Sequence, residues 1–321
     1  MLSQYHQTKK AVGSDVTLVL VADETETRVD DFFNELWSQI YKFERRFSRF
    51  IPASELSLFN RSGGKQTAIS PSFRKLLLAS KSMSELTNGL YNPFILPALQ
   101  RAGYTHSFLP GHEDETHDDY SNRNVVLADQ LEVGDDWAKI PFNTSLDMGG
   151  CGKGYLADQL ASDIPDFIKG FWFSLGGDII AGGHNELNKP WTVHIADTIN
   201  LEGQRPFVFQ PNNFDTFAVA TSGTTIRRGV NAKNTKWHHI IDPRTQQPST
   251  SDLRLASVYS KNAINADVLA SSAIIVGSSD AKEFLEKRGV QAGLLQQTSG
   301  KEIAFGNTLQ SIVLKKERSH S

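Results

Sequence analysis

Two adjacent histidines, His238 and His239, are the side chains of this sequence best suited to proton transfer. They precede a short β-branched run at 240–241, after which the chain reaches Asp242-Pro243. Proline cannot continue a strand ladder and keeps the residue before it extended, so the pair is expected near a strand end, where a side chain can point into a cleft. Imidazole titrates near neutrality and therefore suits general acid–base chemistry. A surface histidine pair is the alternative interpretation.

A glycine-rich segment at 147–155 is the second candidate site. Four glycines in the six positions 149–154 precede a helical run at 155–161. Glycine lets the backbone approach a ligand closely, and free amides at a helix start bind anions. The spacing matches neither a P-loop, because Lys153 is followed by glycine, nor a G-x-G-x-x-G fingerprint. A tight turn before a helix is the alternative.

The third candidate is a carboxylate in an otherwise apolar helix, predicted at 263–277. The segment is apolar nearly all round and is therefore expected to be buried. A buried Asp267 destabilises the fold unless it is paired or bound to a metal. Ser271 lies four residues on, so both oxygens share one helix face, which suits Mg²⁺ completed by carbonyl, water and phosphate oxygens. Alternatively, Asp267 caps a neighbouring backbone segment or pairs with an arginine.

Three further segments give weaker indications. The segment 175–179 is typical of a strand–turn–strand with the acid Asp178 at its tip, and 220–223 offers hydroxyls and free amides at a strand end. The aromatic-rich stretch 46–60 leads into a helix start, where Phe50 either stacks on a planar ring or belongs to the core.

Alternating strands and helices must position these candidates. Apolar spacing predicts a first strand at 16–21, later strands at 171–175, 191–195 and 217–220, and helices at 27–47, 70–86, 155–161, 263–277 and 280–288. We expect one α+β domain spanning 1–321, with a polar excursion at about 103–124 and a charged tail at 315–321. The excursion carries His112 and His117 and is interpreted as a solvated loop rather than a metal site.

Composition excludes some classes of function. The 321 residues suffice for a sizeable core, and a formal net charge of -3 gives no basic footprint for nucleic acid. A lone cysteine, Cys151, excludes an internal disulfide and fits a reducing compartment. The sequence carries no signal peptide or membrane span, so a cytoplasmic location is expected.

Taken in order, these segments resemble the ApbE family, the FAD:protein FMN transferases. Typical family strings are F-S-x-Y/F-x-P-x-S-E-L-S-x-L/F-N, T-x-G-x-F-D-P, D-L-G-G-I-A-K-G-Y, L-G-G-D-I, A-T-S-G, H-I-I-D-P-R-T-G and A-D-A-L-A-T-A. Their counterparts here are 47–60, 87–93, 147–155, 175–179, 220–223, 239–246 and 266–272. Seven strings in order make a chance match negligible, and the resemblance covers about 17–303.

The resemblance implies a T-fold-like α+β enzyme that binds FAD with Mg²⁺ beside the pyrophosphate. It would move FMN from FAD to a Ser or Thr of a partner flavoprotein and release AMP. Asp267 and Ser271 would be metal ligands with the Gly152 carbonyl, and His239 would lie by the phosphate under attack, so that His239 and Asp267 serve catalysis. The residues implied to contact FAD are Phe50, near the flavin, and Leu90, Tyr91, Asn92, Gly149, Lys153, Tyr155 and Ile241.

Three departures from the family pattern matter for the site. Asn92 stands where Asp is usual, which removes a charge and bears on the FAD contacts. Ser271 replaces Thr and loses the methyl group that fixes its rotamer, and Gly152 replaces Ala, which a carbonyl ligand tolerates.

Two other functions stay open at this point. One is a Mg²⁺-dependent FAD pyrophosphatase, in which water replaces the acceptor hydroxyl. The other is an FAD carrier without turnover, which the Asn92 change could indicate.

Overall fold

A computed structural model of the chain describes residues 2–23, 26–105, 125–195, 207–225, 227–230 and 236–311. Its helices are α1 (Glu26–Phe47), α2 (Glu55–Asn60), α3 (Pro71–Leu86), α4 (Leu96–Ala102), α5 (Gly152–Ser162), α6 (Ala263–Val276) and α7 (Ala281–Glu286). Its strands are β1 (Ser3–Ala11), β2 (Ser14–Ala22), β3 (Thr67–Ala68), β4 (Glu132–Val133), β5 (Trp137–Lys139), β6 (Ile168–Leu175), β7 (Asp178–Gly183), β8 (Val193–Ile195), β9 (Phe207–Phe209), β10 (Phe217–Gly223), β11 (Arg228–Val230), β12 (Lys236–His238), β13 (Ile241–Asp242), β14 (Gln247–Pro248), β15 (Leu253–Ser260), β16 (Ala292–Gln297), β17 (Glu302–Phe305) and β18 (Leu309–Ser311).

An eight-stranded antiparallel sheet forms the centre of the molecule, in the order β1-β2-β6-β7-β10-β15-β16-β17. Among the described strands, sequential hairpins make three of the seven pairings in this sheet, β1–β2, β6–β7 and β16–β17. The β15–β16 connection contains α6 and α7, and the longest connection, from β2 to β6, runs through α1 to α5. The mixture of helices with an antiparallel sheet confirms the α+β class.

Alternation along the strands separates two cores. In β10, Ala218 and Ala220 face a core that includes α1 and α5, whereas Phe217 and Val219 face a core that includes β8 and β9. This alternation follows from the two-residue period of a strand. Helices therefore cover one face of the sheet, and the three-stranded sheet β18-β9-β8 covers the other.

Helices α5 and α6 cross closely on the helical face. The Asp158 carboxylate of α5 accepts hydrogen bonds from the backbone N of Ala263, at 2.6 Å, and of Ile264, at 2.9 Å. It thus caps the start of α6, whose own N-cap residue Asn262 makes no side-chain cap bond. A Cβ on Gly154 would lie 2.6 Å from the Ala263 carbonyl oxygen, so the crossing requires glycine there.

Several sequence expectations are refined. The sequence patterns did not predict β1, which is a largely exposed edge strand without an apolar run. Helix α5 begins at Gly152 rather than 155, and the predicted single strand after Trp237 is two short strands, β12 and β13, with His239 between them. Of the excursion predicted at about 103–124, residues 106–124, with His112 and His117, lie outside the described residues, as does the tail at 315–321. Within the described ranges, no helix is both long and apolar enough to cross a membrane.

The α5–α6 crossing gives a matched pair of substitutions. Gly154→Ala forces the helices apart, and we expect it to lower the free energy of unfolding by about 1–3 kcal/mol. Gly152→Ala places its Cβ 3.5 Å from the Phe43 ring, an ordinary contact, and is expected to leave stability unchanged or raise it by up to about 1 kcal/mol. Urea unfolding measures both. Equal effects of the two substitutions would contradict the close crossing.

Candidate functional site

The Asp267 carboxylate lies on α6 where that helix meets the start of α5. The residue is only 6% exposed. Among the described residues, its side chain accepts one hydrogen bond, a long one of 3.4 Å from the backbone N of Gly154, and forms no ion pair. Burial and the nearby Asp178 charge raise the pKa of Asp267 to about 7, although Lys153 acts in the opposite direction. The carboxylate is therefore poorly compensated.

Lys153 and Asp178 form a buried ion pair beside Asp267. Asp178 begins β7 directly after the turn residues Gly176 and Gly177, whose φ values of +70° and +98° require glycine. Burial alone would lower the pKa of Lys153, but the Asp178 and Asp267 charges outweigh it and raise that pKa. The lysine therefore stays charged; it pairs with Asp178 and interacts with Asp267 only through space.

His239 lies between β12 and β13 and belongs to the same electrostatic group. Its backbone N donates to the Arg227 carbonyl at 3.1 Å, and its Nδ1 lies 3.3 Å from the same oxygen. Burial, followed by the Arg227 and Lys153 charges, lowers the pKa of His239 to about 3. The imidazole is therefore neutral at physiological pH. With Nδ1 protonated toward Arg227, Nε2 keeps a lone pair for a proton.

The Ser271 hydroxyl lies one turn after Asp267 on α6, as the sequence predicted. Its Oγ donates to the carbonyl oxygens of Val268, at 3.0 Å, and Asp267, at 3.3 Å. The hydroxyl proton is thereby directed into the helix, so the oxygen lone pairs of Ser271 remain available to another group.

The glycine loop before α5 is fixed by the buried Asp147. This carboxylate accepts from the backbone N of Gly149, at 3.1 Å, and pairs with Arg49 Nε, at 3.0 Å. Arg49 also lies over the ring of Phe50, 4.2 Å from its centroid. Phe50 is 37% exposed, so it is not a core residue, and the ion pair connects it with the loop.

Tyr91 packs against the glycine loop before α5. Its hydroxyl donates to Cys151 Sγ at 3.0 Å and lies 3.0 Å from Ser80 Oγ, and its ring lies 3.3 Å from a Cβ placed on Gly150. Burial raises the pKa of Cys151 to about 12 and that of Tyr91 well above its ordinary value. Both groups are therefore neutral, and the thiol is unreactive.

Asn92 is buried, and neighbouring backbone engages both ends of its amide. Its Oδ1 accepts from the backbone N of Phe94 at 3.0 Å, which caps a short 3-10 turn, and its Nδ2 donates to the Val126 carbonyl at 2.7 Å. An aspartate could make the first bond but not the second. Local packing therefore accounts for Asn at this position.

The remaining predicted contacts lie around this centre without forming one cluster. Tyr155 is half-buried and packs near the Phe43 ring, Leu90 packs against the α6–α7 core, and Ile241 packs against α4. A cavity of about 450 Å³ between β6, β7 and β8 is lined by none of the predicted site residues. It belongs to the other face of the sheet.

Sequence patterns missed several members of the site. No pattern indicated Arg227, which influences both His239 and Asp267 through space. The sequence did indicate Asp178 at the tip of a glycine turn, but not its influence on Asp267. The Arg49–Asp147 pair joins residues 98 positions apart and has no local signal.

The donor set fits a hard divalent cation. The described residues contain no group of three His, Cys, Asp and Glu side chains able to hold a metal ion. A cation here would therefore rely on the undercompensated Asp267 carboxylate, the Ser271 hydroxyl and a backbone carbonyl at the start of α5, which are the oxygen ligands that Mg²⁺ prefers. Ligand phosphates and water would complete such a shell.

The raised pKa of Asp267 makes stability depend on pH when divalent cations are chelated. The pKa of Asp267 is higher in the folded chain than in the unfolded chain. The protonated side chain therefore makes its full contribution to the free energy of unfolding below about pH 4, and this contribution is lost as pH rises through about 7. Asp267→Asn removes this loss. Between pH 4 and 8, we expect the free energy of unfolding of the variant to rise relative to that of the wild type by at most roughly 4 kcal/mol. Thermal unfolding in the presence of EDTA measures this difference. The exposed Asp163→Asn is the control, and parallel pH curves for wild type and Asp267→Asn would contradict the assignment.

Asn92→Asp tests the local role of the amide. The substitution sets a carboxylate against the Val126 carbonyl and removes a donor, so we expect the free energy of unfolding to fall by about 1–3 kcal/mol at pH 8. The loss should shrink at pH 4, where the acid is protonated. Exposed Asn212→Asp is the control, and an unchanged stability of Asn92→Asp would contradict this role.

Comparisons with known proteins find relatives that share most of the length of this chain. The chain is 25% identical to the FAD:protein FMN transferase of Haemophilus influenzae over 301 residues, covering 90% of this chain and 85% of the relative. It is 22% identical to that of Vibrio cholerae, covering 85% and 79%.

Solved structures share the fold. The crystal structure of the ApbE protein from Thermotoga maritima superposes with a TM-score of 0.77 at 19% identity, covering 94% of this chain and 97% of that one. The flavin transferase ApbE from Vibrio cholerae gives 0.74 at 20% identity, covering 95% and 98%. The sequence profile of the ApbE family matches residues 12–294. The chain therefore belongs to the ApbE family.

Proposed function

We propose that this protein transfers FMN from FAD to a Ser or Thr hydroxyl of a partner flavoprotein, in a Mg²⁺-dependent reaction that releases AMP. Membership of the ApbE family and relatives named FAD:protein FMN transferase support flavin transfer in general. The observation that carries the specific proposal is Asp267, a buried and undercompensated carboxylate that is influenced by the same two cations, Lys153 and Arg227, as the neutral His239.

The charges around Asp267 suit a diphosphate. Lys153 and Arg227 both act on Asp267 and His239, so a phosphate bound between these groups would meet two cations. In the proposed site, Asp267, Ser271 and the Gly152 carbonyl would hold Mg²⁺, which supplies neutralisation of negative charge on the phosphate oxygens. Phe50, Leu90, Tyr91, Asn92, Gly149, Lys153, Tyr155 and Ile241 would form the surrounding FAD pocket.

His239 would serve as the general base. The acceptor oxygen forms a bond to the phosphorus of the FMN half, the bond from that phosphorus to the AMP oxygen breaks, and the acceptor proton passes to Nε2 of His239. Burial, together with the Arg227 and Lys153 charges, lowers the pKa of His239 to about 3 in the ligand-free protein. A bound diphosphate offsets those charges, which raises the basicity of His239 when substrate is present.

The test is transfer to an acceptor flavoprotein in the presence of FAD and Mg²⁺, with the acceptor mass and released AMP measured together. The wild type is expected to add one FMN per acceptor site. Asp267→Asn and His239→Gln should each slow transfer by roughly 100-fold or more, and His239→Gln should leave FAD affinity nearly unchanged. Exposed Asp163→Asn is the matched control and should act as wild type.

Different outcomes separate the alternatives. AMP released without any acceptor adduct would replace the transferase with an FAD pyrophosphatase. Tight FAD binding without AMP in any condition would replace it with an FAD carrier. Unchanged rates in His239→Gln would remove His239 from the mechanism.

A further inference from the structure

Arg49 occupies a position that the family strings leave open, the x of F-S-x-Y/F, yet its side chain is only 7% exposed. Its Nε lies 3.0 Å from Asp147 Oδ1, and its Nη2 donates to the Tyr104 carbonyl at 3.1 Å. Arg49 is therefore a buried guanidinium with two polar partners, one on the glycine loop and one at the end of α4.

The guanidinium lies between two aromatic rings. Its central carbon is 4.2 Å from the Phe50 ring centroid and 4.6 Å from that of Tyr104. Tyr104 in turn stacks on Trp237 with centroids 6.0 Å apart and planes at 20°, and Trp237 precedes the two histidines. Arg49 therefore covers one face of Phe50 and ties it to the segment that carries His239.

The other end of the ion pair orients the glycine loop. The Asp147 Oδ2 oxygen accepts from the backbone N of Gly149, and a Cβ on Gly149 would lie 2.9 Å from that oxygen. Through Asp147, one guanidinium thus fixes both the loop before α5 and the ring of Phe50. Lysine could keep the charge, but its compact ammonium cannot lie flat against two rings while bonding Asp147 and the Tyr104 carbonyl.

We propose that Arg49 is a positioning residue for the flavin, which holds the Phe50 ring with its uncovered face toward the isoalloxazine and locks the glycine loop through Asp147. This inference rests on the proposed function. It adds a residue that acts through Phe50 and Asp147 rather than by touching the reacting atoms.

The test compares Arg49→Lys with the wild type in three measurements. These are the near-ultraviolet circular dichroism of the ligand-free protein, the affinity for FAD, and the visible circular dichroism of the bound flavin at saturating FAD. We expect an altered aromatic signal, a Kd for FAD raised about tenfold, and a changed visible signal of the bound flavin. In transfer assays KM for FAD should rise more than kcat falls. Arg46→Lys, on the exposed last turn of α1, is the matched control and should match wild type.

A second variant separates the loss of FAD affinity from any misfolding of Arg49→Lys. Arg49→Met combined with Asp147→Asn removes both buried charges, so it avoids an unpaired carboxylate and should show the same loss of FAD affinity. Wild-type affinity and visible signal in Arg49→Lys, with only a lower Tm, would overturn the inference. Wild type that binds FAD but transfers no FMN would contradict only the proposed function, whereas wild type that binds no FAD would contradict both.

Discussion

The structure depends on how a single carboxylate is accommodated between two tightly crossed helices. Asp267 is buried on an apolar helix, and its pKa of about 7 means that the ionised form is disfavoured in the folded chain. Packing alone would favour an apolar or amide side chain there. The close approach of α5 at Gly154 and the Asp158 cap on α6 nevertheless hold the carboxylate at the start of the glycine-rich helix.

This placement couples the neighbouring charges. Burial and Asp178 raise the pKa of Asp267, whereas Lys153 and Arg227 act to lower it. Burial and the same two cations lower the pKa of His239. A ligand that brings both a cation and phosphates would offset the carboxylates and the cations together. Under the proposed function, a metal ion and a diphosphate would each relieve only part of these unfavourable interactions, and both together would relieve them all.

Local patterns predicted those parts of the fold that depend on local causes. Helix α6 was predicted from its apolar run, α3 from Ser70-Pro71, and the β6–β7 turn from its glycines. Strand β1 was missed because an edge strand needs little apolar surface. Ser271 could be placed by helix periodicity, but the Arg49–Asp147 pair and the Asp158 cap join segments distant in sequence, which periodicity does not report.

Two departures from the family strings, Gln246 and Asn92, are accommodated by hydrogen bonds to neighbouring protein groups. Gln246 stands where the string H-I-I-D-P-R-T-G has glycine and adopts φ +58°, a conformation that costs a non-glycine residue. Its buried amide donates to the Pro243 carbonyl at 3.1 Å and accepts from Arg101 of α4 at 3.2 Å, so two side-chain hydrogen bonds offset the backbone strain. Asn92 is likewise explained by its hydrogen bond to the Val126 carbonyl. Because both changes are satisfied by neighbouring protein groups, neither argues that the chain has lost the chemistry of its family.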